Sequence, residues 1–419
     1  MTVGAISFFS LAIWAYLLFG RGWFWLCGER DVHTNPRDPP PLLAPARGAG
    51  APLKTADSIE IPVAPTNEPV AWPSVAAIIP ARDEAETIAL SVGSLLAQDY
   101  PGPFSVVVVD DQSTDGTAAV ARAAASEAEG ADRLTIVAGN GPPPGWTGKL
   151  WAMRQGLAEV EAGAVKPEFV LFTDADIAYA PHVLSRLATI ACGNNAGLTS
   201  LMVKLRCESL GERWLAPAFV FFFQMLYPFA WVNDPRAATA AAAGGSMLVR
   251  REALHAAGGL EAVRGALIDD CALAGLMKKQ GPIWLGLTED VDSLRGYPTL
   301  ADFGRMVARS AFAELRYSPL RLAGAIAGMA LVYMAPPLFA LFARGAAQAA
   351  GLLAWAMMAL ALMPTLRLYR RPLAGGLVLP AIAAAYVVFT IDSACQYWRG
   401  RGGYWKGRIQ APAGETGRA

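Results

Sequence analysis

SVVVVDD at residues 105–111 and EFVLFTDAD at residues 168–176 decide how this chain folds. Each is a short apolar run that ends in acids. Runs of that length, bounded by polar residues, read as buried parallel strands that carry carboxylates to their C-terminal ends. In open α/β sheets that edge is where ligands bind. Asp174 and Asp176 flank a single residue, so an extended backbone would point both carboxylates to one side. Two such oxygens suit Mg2+ or Mn2+, which keep positions open for water and phosphate. A nucleotide diphosphate is gripped in this way.

The flanking sequence extends the pattern. Strands are expected at 74–79, 105–110, 133–137 and 168–173, and helices at 84–98, 116–129, 149–161 and 181–190. Such alternation implies a parallel sheet with right-handed crossovers. Neither GxGxxG after the first strand nor GxxxxGK[ST] occurs, which disfavours a dinucleotide or P-loop site. Residues 191–320 are less regular, with strands expected at 246–249 and 283–287. Residues 216–232 are strongly apolar and aromatic, with Pro228 inside. They fit a core helix, a membrane-surface helix or a spanning segment.

The chain has 419 residues, 54% of them hydrophobic and 17% charged, below the roughly 25% charged of soluble domains. The shortfall is local. Residues 1–20, 322–343, 345–366 and 373–391 carry no Asp, Glu, Lys, Arg or His, each near the ~20 residues that cross a bilayer. The expected organisation is an N-terminal transmembrane anchor (1–26), a proline-rich linker (27–71), an α/β domain (72–320), C-terminal transmembrane helices (321–395) and a basic tail (396–419). No Lys or Arg precedes the first apolar run, so it reads as an uncleaved anchor. Arg21, Arg30 and Arg37 follow it and place the domain in the cytoplasm, on an inner (plasma) membrane crossed several times. Arg399, Arg401, Lys406 and Arg408 argue for a tail on the same side, which would make 373–391, with Pro380, re-entrant. Zero formal net charge gives a nucleic-acid partner no electrostatic support. Five scattered cysteines, without CxxC or Cys/His spacing, argue against zinc and against a disulfide framework.

The acids form an ordered series: Pro80-Ala81-Arg82-Asp83-Glu84, Asp110-Asp111, Asp174-Ala175-Asp176, Gly244-Gly245-Ser246 and Asp269-Asp270-Cys271. In this order and spacing they resemble the inverting nucleotide-sugar glycosyltransferases of family 2, with the GT-A fold. The resemblance covers about 74–315. The flanking apolar segments are similar to the lipid-directed, ceramide glucosyltransferase-like branch. The whole arrangement, including Gln396-Tyr397-Trp398-Arg399-Gly400-Arg401-Gly402-Gly403, is most similar to bacterial hopene-associated glycosyltransferases.

The resemblance implies a nucleotide-diphosphate sugar donor, a UDP-sugar first, with Mg2+ or Mn2+ on Asp174 and Asp176. Asp83, Glu84 and Asp111 would meet base and ribose, with Pro80, Arg82 and Asp110 beside them. Asp83 and Glu84 would equally suit a helix start. Asp270 is the implied general base, with Asp269 raising its proton affinity. Glu289-Asp290 is a second acidic pair, but it follows its strand instead of preceding it. Gly244 and Gly245 would allow close approach of sugar or acceptor. Lys149 would meet a phosphate or merely face solvent, and His182 reads as a surface residue or a third metal ligand. Processive relatives carry QxxRW after the base. Here Arg305-Met306-Val307-Ala308-Arg309-Ser310 lacks the Gln and the Trp. Arg309 remains to neutralise a departing diphosphate. The expected activity is transfer of one sugar to a membrane-lipid hydroxyl, in hopanoid synthesis. A polyprenyl-phosphate sugar transferase, a processive polysaccharide synthase and a non-catalytic membrane scaffold are the other readings.

Overall fold

The computed structural model describes residues 3–31, 72–405 and 408–411. Most of the expected linker lies outside the described residues. Helix α1 (Val3–Phe19) comes first. Then follow β1 (Val75–Ala81), α2 (Ile88–Leu96), β2 (Phe104–Asp110), α3 (Thr117–Glu127), β3 (Leu134–Ala138), α4 (Gly148–Ala162) and β4 (Phe169–Thr173). β1 pairs in parallel with β2 and β4, and β2 with β3. Side chains alternate along these strands between two cores. Val75, Ala77 and Ile79 join one, and Ala76 and Ile78 the other; β2 and β4 divide likewise. Burial on both faces is why the runs are continuously apolar. Pro80 is tolerated in this central strand because it lies beyond the last rung with β4, at Ile78.

The second half continues with β5 (Ile177–Tyr179), α5 (Val183–Gly193), β6 (Leu198–Lys204), α6 (Leu210–Leu226), α7 (Phe229–Asn233), β7 (Ser246–Arg250), α8 (Arg251–Ala256), α9 (Asp269–Gln280), β8 (Ile283–Ser293), α10 (Leu300–Ala308) and α11 (Ala311–Glu314). The sheet order is β3-β2-β1-β4-β7-β6-β8-β5. It is mostly parallel; β7 runs against β4 and β6, and β5 against β8. β5 and β6 are additions to the sequence reading. β5 has only three residues, and β6 carries no acid at its end.

The helical part comprises α12 (Pro319–Met329), a π turn (Ala330–Met334), α13 (Ala335–Phe342), α14 (Ala346–Leu368) and α15 (Leu379–Trp398). A short hairpin, β9 (Gly402–Trp405) and β10 (Arg408–Ala411), follows. Three stretches, Pro319–Phe342, Ala346–Leu368 and Leu373–Trp398, are long and apolar enough to cross a membrane. The third of these contains 373–391, the stretch expected to be re-entrant. Pro380 sits in the first turn of α15, where its missing N–H is no loss.

α1 is shorter than those three, and its polar groups are spent on them. Ser7 Oγ donates to Ala347 O, Ser10 Oγ to Leu331 O at 2.9 Å, and Trp14 Nε1 to Val332 O at 2.8 Å. Pro336 and Pro337 explain the acceptors. In a π turn the partner N–H lies five residues on, and proline has none, so the carbonyls of Leu331 and Val332 are left open. α6 lies in the seam between sheet domain and bundle. Phe221 packs on Phe24, Phe222 on Tyr333 and Tyr386, and Tyr386 Oη donates to Leu215 O. One continuous core runs from β1 through α6 to α14 and α15.

Residues 27–31 depart from the expected linker, because they are fixed to the sheet. Leu287 N donates to Glu29 O, and buried Asp31 accepts from Arg186 at 3.1 Å and Thr288 at 2.9 Å.

Candidate active site

The acids converge at the C-terminal edge of the parallel strands. Asp269 and Asp270 open α9, where the helix dipole favours negative charge. Asp270 Oδ1 accepts from Cys271 N at 2.7 Å, and its Oδ2 from Gly244 N at 2.8 Å. Gly244 comes in on the loop before β7. A Cβ there would lie 3.1 Å from Asp270 Oδ2 and 3.3 Å from Lys149 Nζ, so crowding rather than backbone angle demands glycine. Thr147 caps α4 by accepting from Leu150 N, which fixes Lys149 in the first turn. Lys149 Nζ lies 2.7 Å from Asp174 Oδ1 and 3.6 Å from Asp269 Oδ2.

Burial, and then the charge of Asp269, push the Asp270 carboxyl up to about 6. Burial works against the Lys149 ammonium, yet Asp174 and then Asp269 hold its pKa above the ordinary value. Asp269 Oδ2 is buried without a hydrogen bond among the described residues.

Asp174-Ala175-Asp176 is a turn between β4 and β5, not extended strand. This corrects the expectation of an extended backbone there. Asp174 meets Lys149, whereas Asp176 accepts from Arg295 Nε at 2.6 Å. Arg295 follows β8 and also donates from Nη2 to Glu84 Oε1 at 2.6 Å. It thereby joins the ends of β1 and β4. Among the described residues, no group of three or more His, Cys, Asp and Glu side chains is placed to hold a metal. Two hard carboxylates short of a full cage fit Mg2+ or Mn2+, which draw their remaining ligands from water and phosphate. Asp174 and Asp176 would hold that ion.

Beyond Glu84 the loops after β1 and β2 are laced together. Arg82 Nη1 donates to Asp111 O at 2.6 Å, Asp83 N to Ser113 Oγ at 3.0 Å, and Thr114 N to Asp83 Oδ1 at 2.8 Å. Asp110 Oδ1 accepts from Ser113 N at 3.0 Å. Asp83 and Gln112 hold positive φ (50° and 59°), a strain that such a locked corner sustains. Asp111 is buried. A cavity of about 530 Å³ opens here, lined by Asp83, Glu84, Asp115, Arg206, Arg295 and Pro298 among others.

Other expected residues lie elsewhere. Gly245 faces Val203 and Ile177, and its carbonyl accepts from Thr173 Oγ1 at 2.9 Å, so it packs on the sheet. Asp290 binds Arg186 at 2.7 Å and His182 at 3.0 Å, which spends both His182 and the second acidic pair on structure. Arg305 pairs with Asp302. Arg309 is exposed just after α10, where its charge is felt by the Tyr297 hydroxyl. Two features were missed from sequence. One is Arg295, which no local pattern marks; only the β5–β8 register reveals it. The other is Tyr227, which ends α6 and donates to Glu314 of α11. Burial first, then Cys271, Glu314 and Asp270, raise the pKa of its hydroxyl.

A family model described as Glycosyltransferase like family 2 matches residues 73–283, just over half of the chain. An N-acetylglucosaminyltransferase of Mesorhizobium japonicum is 34% identical over 177 residues, 42% of this chain and 37% of that protein. An N-acetylglucosaminyltransferase of Rhizobium leguminosarum bv. viciae is 31% identical over 170 residues, 40% of this chain and 35% of that protein. The chain thus spans little more than a third of the length of these curated relatives. Among solved structures, a mannosyltransferase of Pyrobaculum calidifontis, in complex with GDP-Man and Mn2+, is 19% identical with a TM-score of 0.48. That match covers 93% of this chain and 99% of the other.

Proposed function

Because the chain belongs to glycosyltransferase family 2, with its GT-A α/β fold, we propose that it transfers a single sugar from a nucleoside-diphosphate donor to a lipid hydroxyl at a membrane surface. The observation that carries this reading is the Asp270 carboxylate. Two backbone N–H groups hold it beside the Lys149–Asp174 pair. Asp270 takes the proton of the acceptor hydroxyl as that oxygen attacks the anomeric carbon. Asp83, Glu84 and Asp111 lie at the end suited to base and ribose. Asp174 and Asp176 would hold the divalent cation, which when bound would supply positive charge toward the diphosphate; Lys149 adds a positive charge of its own. Arg309 would reach the diphosphate only by moving with α10. Tyr227 and Glu314 stand on the side from which a lipid hydroxyl would come.

On this reading the domain lies on the cytoplasmic side of an inner membrane that the apolar helices enter. UDP-N-acetylglucosamine is the first donor to test, since two relatives bear that activity in their names. A polycyclic lipid of the hopanoid kind is the first acceptor, on the sequence resemblance. The test uses the full chain in lipid nanodiscs with Mn2+, radiolabelled nucleotide sugars and extracted membrane lipids. Label should move to one organic-phase product with one sugar per lipid. Label found only in water-soluble glycan or long polymer overturns the reading.

A further inference from the structure

The two acids of the Asp174-Ala175-Asp176 turn are each matched by a cation of the chain itself. Lys149 Nζ sits 2.7 Å from Asp174 Oδ1, and Arg295 Nε 2.6 Å from Asp176 Oδ2. Each cation has a second acid within reach. For Arg295 it is Glu84, already at 2.6 Å. For Lys149 it is Asp269, at 3.6 Å, whose Oδ2 is buried without a hydrogen bond among the described residues. A buried carboxylate oxygen left unmatched is costly, so that oxygen is a ready seat for an ammonium. Gly244 leaves the space around Lys149 Nζ and Asp270 Oδ2 free of a side chain.

We propose that Lys149 and Arg295 are exchangeable counter-ions of the metal-binding acids. In the donor-free chain they neutralise Asp174 and Asp176. They yield those acids only to a divalent cation that arrives with a nucleoside diphosphate, and then fall back on Asp269 and Glu84. The proposal rests on the donor-site reading above. Its physical basis is a balance of charge. A lone divalent cation would have to break two close ion pairs and offers the displaced Lys149 and Arg295 no anion in exchange. A cation carrying a diphosphate brings the compensating negative charge with it.

The experiment titrates Mn2+ into the full chain in nanodiscs and reads free Mn2+ by electron paramagnetic resonance, alone and with UDP or GDP. Wild type should bind Mn2+ at least roughly tenfold more tightly with one of the nucleotides than without. Lys149→Met and Arg295→Met should each bind Mn2+ alone roughly ten- to a hundredfold more tightly than wild type, the worth of one charge-assisted hydrogen bond lost by the competitor. Lys149→Arg and Arg295→Lys keep the charge and should stay near wild type, which separates counter-ion loss from misfolding. Equal Mn2+ affinity with and without nucleotide in wild type, or unchanged nucleotide-free affinity in both Met variants, overturns the proposal. Failure of every protein to bind Mn2+ under any of these conditions overturns the donor-site reading itself.

Discussion

At the scale of single residues, Asp270 carries opposite demands. Its carboxylate must be charged to accept a proton, yet burial and Asp269 favour the neutral form and hold its pKa near 6. Asp270→Asn keeps the size but only one of the two backbone contacts, because its amide nitrogen cannot accept, and it cannot take a proton. It should lower turnover about 10²–10⁴-fold while nucleotide affinity, followed by calorimetry, changes little. In wild type the rate should fall as pH drops through about 6. Stability runs the other way. A carboxyl whose folded pKa lies above its unfolded one stabilises the fold fully below the unfolded value, roughly 4, and that contribution is lost as pH rises through the folded value. Thermal scans should therefore show Asp270→Asn melting above wild type at pH 8, with the gap closing at pH 4. A gap that widens toward acid would show the sign to be wrong. Gly244→Ala places a methyl 3.1 Å from the base and 3.3 Å from Lys149. It should slow turnover by about tenfold or more, since small misplacements at a reacting centre are costly. A rate equal to wild type would mean the loop gives way freely. The acids at strand ends were legible because hydrophobic runs ending in carboxylates have few other uses. Arg295 was not, since its position depends on β5 pairing with β8, a contact between segments far apart in sequence.

At the scale of elements, β1, β2 and β4 were readable because burial on both faces makes them almost continuously apolar. β5 is too short to show a period, and the antiparallel entry of β7 depends on where the intervening helices lead the chain. α6 left three readings open from composition alone. Packing makes it a core helix, because Phe221 is buried against Phe24 and Phe222 against Tyr386 of α15. The pairing of α1 with the π turn carries a prediction of its own. Ser10→Ala with Trp14→Phe removes the donors to Leu331 O and Val332 O. Such bonds among apolar helices are worth about 0.6–1.7 kcal/mol each. The double variant should unfold earlier in nanodiscs, whereas a change at exposed Phe9 should not matter. Identical unfolding of the three proteins would show that those carbonyls need no partner.

At the scale of the whole molecule, domain and bundle share one core, so they are not two bodies joined by a tether. The chain's beginning is held at both of its levels. Residues 27–31 join the sheet beside β8, and α1 inserts among the last helices. That arrangement sets a schedule for synthesis. Ser7, Ser10 and Trp14 reach partners 340, 321 and 318 residues later. At roughly 5–20 residues per second, translation of that interval takes on the order of tens of seconds. Throughout it the earliest helix has none of its own acceptors in existence. α1 is thus completed only after partners more than three hundred residues later are made, and a nascent chain that stalls before residue 331 leaves the donors of Ser7, Ser10 and Trp14 without these acceptors.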